Sequence, residues 1–332
     1  MTEKMNPVYD RSLTLRAALL GGMLGAALAM VGCTALPAGS IDESSGGFAS
    51  FGKADSARPE FNPELCAYDE TDPYEPRARF QVGPWTGECL DTQRRRPVAV
   101  LASPTQDERT LELANVFHDH GWWYASIPVD AIEEVYFQLE YFPAIVPAGH
   151  TQIRIEFNQP VRLSGHSDWN YGQEEETYNL VLSAEAVPRV GDGYDLFRGL
   201  RDHFGLALRV TTLEARYDSM IVEQEHHVEQ WRLMLTEEEQ RDLLTFYANE
   251  SEELGLGITY HTITRNCTTE IVRSLDGVVE YGWRERVGRF FLRATEFYPN
   301  IVRAALVARG LLPLDQSTDW YALEEDPTFP RM

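Results

Sequence analysis

Lysine is almost absent from this chain, because Lys4 and Lys53 are its only two lysines. Acidic residues outnumber basic ones, and the formal net charge at pH 7 is −23. An acidic excess of this size repels phosphate backbones, which argues against nucleic-acid binding. Long apolar runs are also scarce: only the stretch Ala17–Gly32 is both apolar and longer than a buried strand. The rest of the chain therefore predicts no transmembrane helix.

The apolar stretch Ala17–Gly32 has the features of an export signal. Arg11 and Arg16 precede it, and the stretch is too short to span a bilayer. It ends in Leu-Ala-Met-Val-Gly followed by Cys33, which is similar to a bacterial lipobox, where the cysteine becomes lipid-modified. The alternative is an ordinary signal peptide that is cut nearby. The sequence predicts a signal peptide over residues 1–32 and a lipid anchor on the periplasmic face of a bacterial membrane.

Cysteine is scarce as well, with four residues in the chain, and export determines how they are interpreted. With Cys33 assigned to the lipid, Cys66 and Cys89 lie close together in an irregular, Pro-rich segment and are predicted to pair in an oxidising compartment. Cys267 is then left as an unpaired thiol. A free thiol in an exported protein favours a catalytic role, and a cysteine that only fills the core is the alternative.

The segment Tyr260–Asp276, with the sequence YHTITRNCTTEIVRSLD, places Cys267 at the start of a predicted helix. Asn266 or Cys267 itself is a suitable N-cap, and Glu270 occupies the position of a capping-box acid. Backbone N–H groups and the positive end of the helix dipole favour the thiolate, which is the nucleophilic form. The N–H groups of Cys267 and Thr268 are also suited to stabilise an oxyanion.

Two stretches resemble cofactor sites, and both are rejected. The stretch Gly47–Ala54 is similar to a phosphate-binding loop, but Ala54 replaces the metal-binding Ser or Thr and no strand precedes it. His118 and His120 are not followed by further ligands at metal-binding spacing. The sequence therefore predicts no nucleotide, no metal and no other cofactor.

Strand-like alternation and helical periodicity follow one another in the second half of the chain. Alternation predicts strands near 135–141, 151–157, 178–187, 206–210 and 228–235, and a capping box predicts a helix at 236–254. His150 stands at the beginning of the second of these strands. Ser183 and Glu185 share one face of the third strand, because alternate residues point to the same side.

Three motifs in this region resemble a known family. They are Gly149-His-Thr leading into a strand, Leu182-Ser-Ala-Glu185 in the next strand, and Asn266-Cys-Thr-Thr at the start of the helix. Over residues 112–314 the chain resembles the N-terminal periplasmic domain of the Lnb-type lipoprotein N-acyltransferases. No membrane-embedded C-terminal region is predicted here, in contrast to those enzymes.

The resemblance implies an α+β fold, in which an antiparallel sheet packs against helices around a circularly permuted papain-like (NlpC-like) core. It implies Cys267 as the nucleophile and His150 as the general base and then the general acid. Glu185 is expected to orient His150, with Ser183 or Asn266 as alternatives. The implied substrate is the acyl chain of a lipoprotein or a phospholipid.

The predicted organisation comprises the signal peptide, a flexible tether over 33–60, a loop-rich segment with a disulfide over 61–110, the periplasmic domain over 111–314, and an irregular acidic tail over 315–332. Two other functions remain open at this point. One is a cysteine peptidase or amidase that acts on cell-wall peptides. The other is a non-catalytic, lipid-anchored binding module.

Replacing Cys33 with Ala is expected to release the protein from membranes, because the substitution removes the sulfur that would carry the lipid. Membrane and soluble fractions of cells that express each form, compared by immunoblotting, would show the redistribution. Wild-type protein that is soluble and retains an unmodified Cys33 would contradict the prediction.

Overall fold

The structure is a computed structural model that describes residues 74, 85, 88–93, 95–104, 109–142, 149–166, 170–283, 285–286, 299–314 and 320–326. The predicted signal peptide and tether, with Cys33, lie outside these residues. Cys66 also lies outside them, so its pairing with Cys89 stays a prediction. Within the described ranges, no helix has both the length and the apolarity needed to cross a bilayer.

The described strands form one sheet. In chain order they are β1 (Ala99–Ala102), β2 (Thr110–His118), β3 (Gly121–Pro128), β4 (Ile132–Tyr141), β5 (Gly149–Gly165), β6 (Glu174–Val187), β7 (Phe204–Thr212), β8 (His227–Arg232), β9 (Thr259–Tyr260) and β10 (Trp320–Ala322). Their order in space is β1-β2-β7-β6-β5-β4-β8-β10, while β3 pairs with β2 and β5, and β9 pairs with β7. The described pairs are antiparallel except for β2 and β7, which run parallel.

The helices lie between and after these strands. They are α1 (Leu196–Gly199), α2 (Leu213–Tyr217), α3 (Glu237–Leu254), α4 (Cys267–Val278) and α5 (Pro299–Ala308). A π-helical turn at Asp218–Glu223 continues α2 directly. Sheet and helices together agree with the predicted α+β class.

One face of the sheet is apolar and carries the main core. Phe137 on β4, Ile153 on β5 and Leu182 on β6 are fully buried in the same cluster as Ile271 and Leu275 of α4. Residues from α3 and α5 complete this cluster. Alternation along each strand sends these apolar side chains to one side, so the helices have a continuous surface to cover.

The opposite face is polar, and it is buried as well. Gln152 donates from Nε2 to Oε1 of Gln138 at 2.7 Å, and Gln138 donates to Oε1 of Gln230 at 2.8 Å. α2 and the π-helical turn cover this face, where Leu213 and Met220 belong to a second apolar cluster. Buried amides require hydrogen-bond partners, and neighbouring strands supply most of them here, although Nε2 of Gln230 has none among the described residues.

The five predicted strands are confirmed as β4 to β8, and the capping box that opens α3 forms between Thr236 and Glu239. The hairpin of β2 and β3 was not predicted. Its sequence lacks regular alternation, and the pairing register shifts between Leu113 and Val116, around Asn115 with a φ of 62°. A bulge of this kind breaks the period of two on which strand prediction depends.

The predicted tail is not irregular throughout, which corrects the sequence interpretation. Residues 320–322 form β10, which pairs with β8 at the edge of the sheet, and Leu323 is fully buried. Asp326 accepts a hydrogen bond at 2.5 Å from Nη1 of Arg154 on the buried polar face. An acidic residue in this segment therefore has a specific buried cation to pair with.

Replacing Asp326 with Asn is expected to lower the free energy of unfolding by about 3 kcal/mol, because losing one partner leaves the buried Arg154 charge poorly compensated. Urea unfolding followed by circular dichroism measures the loss. The control is Asp130→Asn, which breaks the exposed Arg109–Asp130 pair and is expected to leave stability nearly unchanged. Equal losses in the two variants would contradict the prediction.

Candidate active site

The first turn of α4 is defined by its cap. Asn266 accepts a hydrogen bond from the backbone N–H of Thr269 at 2.9 Å, and Thr269 Oγ1 accepts one from the N–H of Asn266 at 2.8 Å. The capping box therefore joins Asn266 to Thr269, and the expected role of Glu270 in it is wrong. Because Asn266 is the cap, Cys267 is the first helical residue and lies at the positive end of the helix dipole.

The loop before α4 is closed by its own residues. Nδ1 of His261 accepts hydrogen bonds from the backbone N–H groups of Ile263 and Thr264, each at 3.2 Å. Nδ2 of Asn266 donates to the carbonyl of Thr262 at 2.5 Å. The Tyr-His-Thr-Ile-Thr-Arg-Asn-Cys motif thus builds a compact turn that presents Cys267, and His261 serves this turn.

α4 is joined to β5 at the nucleophile. Thr151 donates from Oγ1 to Oγ1 of Thr268 at 3.2 Å, and this contact links residues 117 positions apart. The backbone N–H of Thr151 also donates to the sulfur of Cys267. Since Thr151 follows His150 in the chain, this contact brings the histidine and the cysteine together.

Cys267 is a free thiol and is only 4% exposed. Burial alone would raise its pKa. The strongest opposing effects are the charge of His150 and its hydrogen bond to the thiol, and Thr151 and Thr268 add further hydrogen bonds. Together they outweigh burial and lower the pKa of Cys267 to about 7. A substantial fraction of the thiol is therefore ionised at neutral pH, in the form that a nucleophile requires.

His150 is 8% exposed, on the polar face of the sheet. Burial by itself lowers the pKa of His150, and so does the charge of Arg216. The charge of Cys267, the hydrogen bond to Cys267 and the charge of Glu140 outweigh them and raise the pKa above the ordinary value. The sequence placed His150 away from the apolar face, and this is confirmed. Its Nε2 is buried and has no hydrogen-bond partner among the described residues.

Glu185 lies near His150 but is held by arginines. Nη1 of Arg209 donates to its Oε2 at 2.5 Å, and Nε of Arg95 donates to the same oxygen at 3.2 Å. Burial raises the pKa of Glu185, but the charges of Arg209, Arg216 and Arg95 lower it far below the ordinary range. Glu185 is therefore a carboxylate at every physiological pH.

The other two side chains expected to orient His150 have different partners. Oγ of Ser183 donates to Oε1 of Glu185 at 3.0 Å. Asn266 uses its amide to cap α4 and to close the preceding loop. The structure brings Cys267, His150 and Thr268 together, and it places Glu185 and Ser183 in a neighbouring ionic cluster.

A small cleft of about 50 Å³ opens beside His150. Its lining is mixed, with charged groups and aromatic rings. The lining residues are Arg95, Glu140, Phe142, His150, Ala184, Glu185, Ala186, Tyr194, Arg216, Gln224 and Tyr260. Burial raises the pKa of both tyrosines above the ordinary value, so they line the cleft as neutral phenols. The cleft therefore offers polar and apolar contacts in about equal measure beside His150.

Sequence reasoning missed Glu140, Arg216 and His226. Glu140 is 3% exposed and lies directly opposite His150 in the pairing of β4 with β5. Its carboxylate accepts one hydrogen bond from Arg216 at 3.3 Å and pairs with Nδ1 of His226 at 2.7 Å. The sequence did contain one signal for Glu140. If a hairpin joins the two predicted strands, the last polar residue of the first strand pairs with the first polar residue of the second. Nothing in the pattern pointed to Arg216, which lies on a short unpredicted helix.

The comparison with protein families identifies one family for this chain. The model of the Lnb N-terminal periplasmic domain matches residues 119–295, slightly more than half of the chain. The chain belongs to the Lnb N-terminal periplasmic domain family. Curated proteins and solved structures give no significant match. Membership fits export to the periplasm.

The match to the Lnb N-terminal periplasmic domain contains His150, Glu185 and Cys267. Arg95 precedes the matched range, yet it lines the cleft and bonds Glu185. The segment before the family domain therefore supplies part of the wall of the site.

The alkylation rate of Cys267 by iodoacetamide is expected to be half-maximal near pH 7 and to fall about tenfold for each pH unit below, because only the thiolate reacts. His150→Ala removes the charge and the hydrogen bond that lower the pKa of Cys267 most, while burial still raises that pKa. The midpoint should then move above the ordinary thiol value of about 8.5. Mass spectrometry of the alkylated peptide across pH 5 to about 10 measures both profiles. Coincident profiles would contradict the assigned coupling.

Proposed function

We propose that this protein is a cysteine acyltransferase or acyl hydrolase that works through a thioester on Cys267. The single observation that supports this most is the low-pKa thiol at the first helical position of α4, coupled to the buried His150. A nucleophile with an adjacent proton acceptor is the arrangement that acyl transfer requires.

In the proposed reaction, the thiolate of Cys267 attacks the carbonyl carbon of the substrate, and His150 holds the proton. The backbone N–H groups of Cys267 and Thr268, which have no acceptor within the helix, then donate to the oxyanion. The leaving group takes the proton from His150 as its bond to the carbonyl carbon breaks, and a thioester remains. Water or an amine then attacks the thioester, gives its proton to His150, and the C–S bond breaks to restore the thiolate.

The proposal extends to fold type and location. The order of His150 before Cys267, one on a strand and one at a helix N-terminus, is what a circularly permuted papain-like core requires. Family membership supports a periplasmic location. The lipid anchor on Cys33 and the Cys66–Cys89 disulfide belong to the same proposal, and so does an acyl chain of a lipoprotein or phospholipid as substrate.

A second candidate is an amidase or peptidase that acts on cell-wall peptides. The polar part of the cleft lining supports it, because Arg95, Glu140, Arg216 and Gln224 offer hydrogen bonds that suit a peptide. The chemistry on Cys267 is the same for both candidates, so they differ only in the acyl group and the acceptor. A non-catalytic binding module would have no use for a thiol with a lowered pKa.

An activated acyl ester, such as p-nitrophenyl butyrate, is expected to acylate Cys267 and to give a mass increase on its peptide. His150→Ala should slow acylation by at least about 100-fold, since general-base assistance contributes that much. Cys267→Ser should abolish the thioester adduct. A fatty-acyl phospholipid and a short cell-wall peptide, offered in parallel, distinguish the two candidates by which one yields a covalent adduct. Equal acylation with and without His150 would reduce Cys267 to an ordinary thiol.

A further inference from the structure

We propose that Glu140 is the positioning residue of His150, and that its Oε2 is the hydrogen-bond acceptor for Nε2 of the imidazole. This assignment rests on the proposed role of His150 as the catalytic base. Nucleophilic systems of this type need a third group that fixes the orientation and charge of the base. The described residues offer two buried carboxylates for this task, Glu140 and Glu185.

The pairing of the strands places Glu140 next to His150. The two residues are direct partners in the antiparallel pair of β4 and β5. Side chains at such positions point to the same face, with Cβ atoms about 5 Å apart. Both side chains line the same cleft. A carboxylate oxygen of Glu140 is thus within a side-chain rotation of the imidazole.

His150 has an atom that requires such an acceptor. Its Nε2 is buried without a hydrogen-bond partner among the described residues. A buried N–H that remains unpaired costs free energy, so a nearby acceptor is favoured. His150 and Glu140 both line the cleft, so a residue with a buried carboxylate is a neighbour of this imidazole.

Glu185 is poorly suited because its oxygens are already occupied. Oε2 accepts from Arg209 and Arg95, and Oε1 accepts from Ser183. Four hydrogen-bonding and ionic contacts, including Arg216 at 3.8 Å, fix the carboxylate in place. Moving it toward His150 would break strong, charge-assisted bonds.

Glu140 is held differently. Oε1 is bound tightly by His226 at 2.7 Å, whereas Oε2 has only a long contact of 3.3 Å to Arg216. Arg216 does not depend on this contact, because it makes two bonds to Oε1 of Gln152, at 2.8 and 3.1 Å. Oε2 is therefore the carboxylate oxygen that can turn toward Nε2 at the least cost.

The electrostatic surroundings of His150 agree with this assignment. Titratable and charged groups face it from several elements: Cys267 from α4, Arg216 from α2, Glu140 from β4, Glu185 from β6 and Arg95 from the segment before β1. Burial lowers the pKa of His150, and the charge of Cys267 raises it. Arg216 lowers the pKa as well, whereas Glu140 raises it. Against burial, His226 and Arg216 lower the pKa of Glu140 itself, which keeps it ionised.

The test is an NMR titration of the His150 ring in the full chain, with Cys267→Ser as the background so that the thiolate no longer acts on the ring. The resonance is assigned by its loss in His150→Gln. Glu140→Gln is expected to move the midpoint down by about one pH unit or more, because a neighbouring opposite charge is lost. Glu185→Gln, the matched control, should move it less. An equal or larger effect of Glu185→Gln would overturn the assignment.

A second variant keeps the proposal testable if Glu140→Gln does not fold. Glu140→Asp keeps the negative charge but moves it away from the imidazole by one methylene group. The titration midpoint of His150 should therefore fall measurably, but by less than about one pH unit. An unchanged midpoint in folded Glu140→Asp, together with an unchanged Nε2 resonance, would overturn the proposal. The titration needs no substrate, so it can support the role of Glu140 even if Cys267 forms no thioester. A failure of the positioning role is therefore distinguishable from a failure of the proposed acyl chemistry.

Discussion

The contact between the first turn of α4 and the first residues of β5 is the interaction on which the candidate site depends. It joins Thr151 to Thr268 and brings the N–H of Thr151 to the sulfur of Cys267. The helix supplies its dipole and its N–H groups, and the strand supplies the imidazole of His150. Neither element alone would lower the pKa of a buried thiol, because burial opposes ionisation.

The burial of both faces of the sheet is a second constraint. The apolar face packs against α3, α4 and α5, as in any layered domain. The polar face carries Gln138, Gln152, Arg154 and Gln230 under α2 and the π-helical turn, where hydrogen bonds run from Gln152 to Gln138 and from Gln138 and Arg154 to Gln230. This costly arrangement places Glu140, His150 and Glu185 in a region of low dielectric constant, where their charges act strongly on one another.

The family domain does not build the site by itself. Arg95 reaches the cleft from a segment that precedes the matched range 119–295, and the C-terminal Asp326 reaches Arg154 from a segment that follows it. Both contacts end on the polar face. Flanking segments of this chain therefore complete the charge balance around a sheet that the family defines.

The sequence by itself determined the elements whose signals are local. Alternation predicted β4 to β8, and Thr236 and Glu239 predicted the start of α3. Helical spacing after a capping residue predicted Cys267 at a helix N-terminus. These features depend on neighbours within a few residues, and the pattern of side chains records them directly. The same kind of pattern placed His150 at the beginning of a strand, whereas its catalytic role was implied by the family resemblance.

Only the tertiary structure decided which residues surround the imidazole. Glu140, Arg216 and Arg95 come from three separate elements, and strand pairing and helix packing bring them to one cleft. Glu185 was expected beside His150 from its motif, yet its Oε2 is bonded to Arg209 and Arg95. The physical reason is that charge pairing acts over distance in space, and the spacing of residues along a chain contains no record of it.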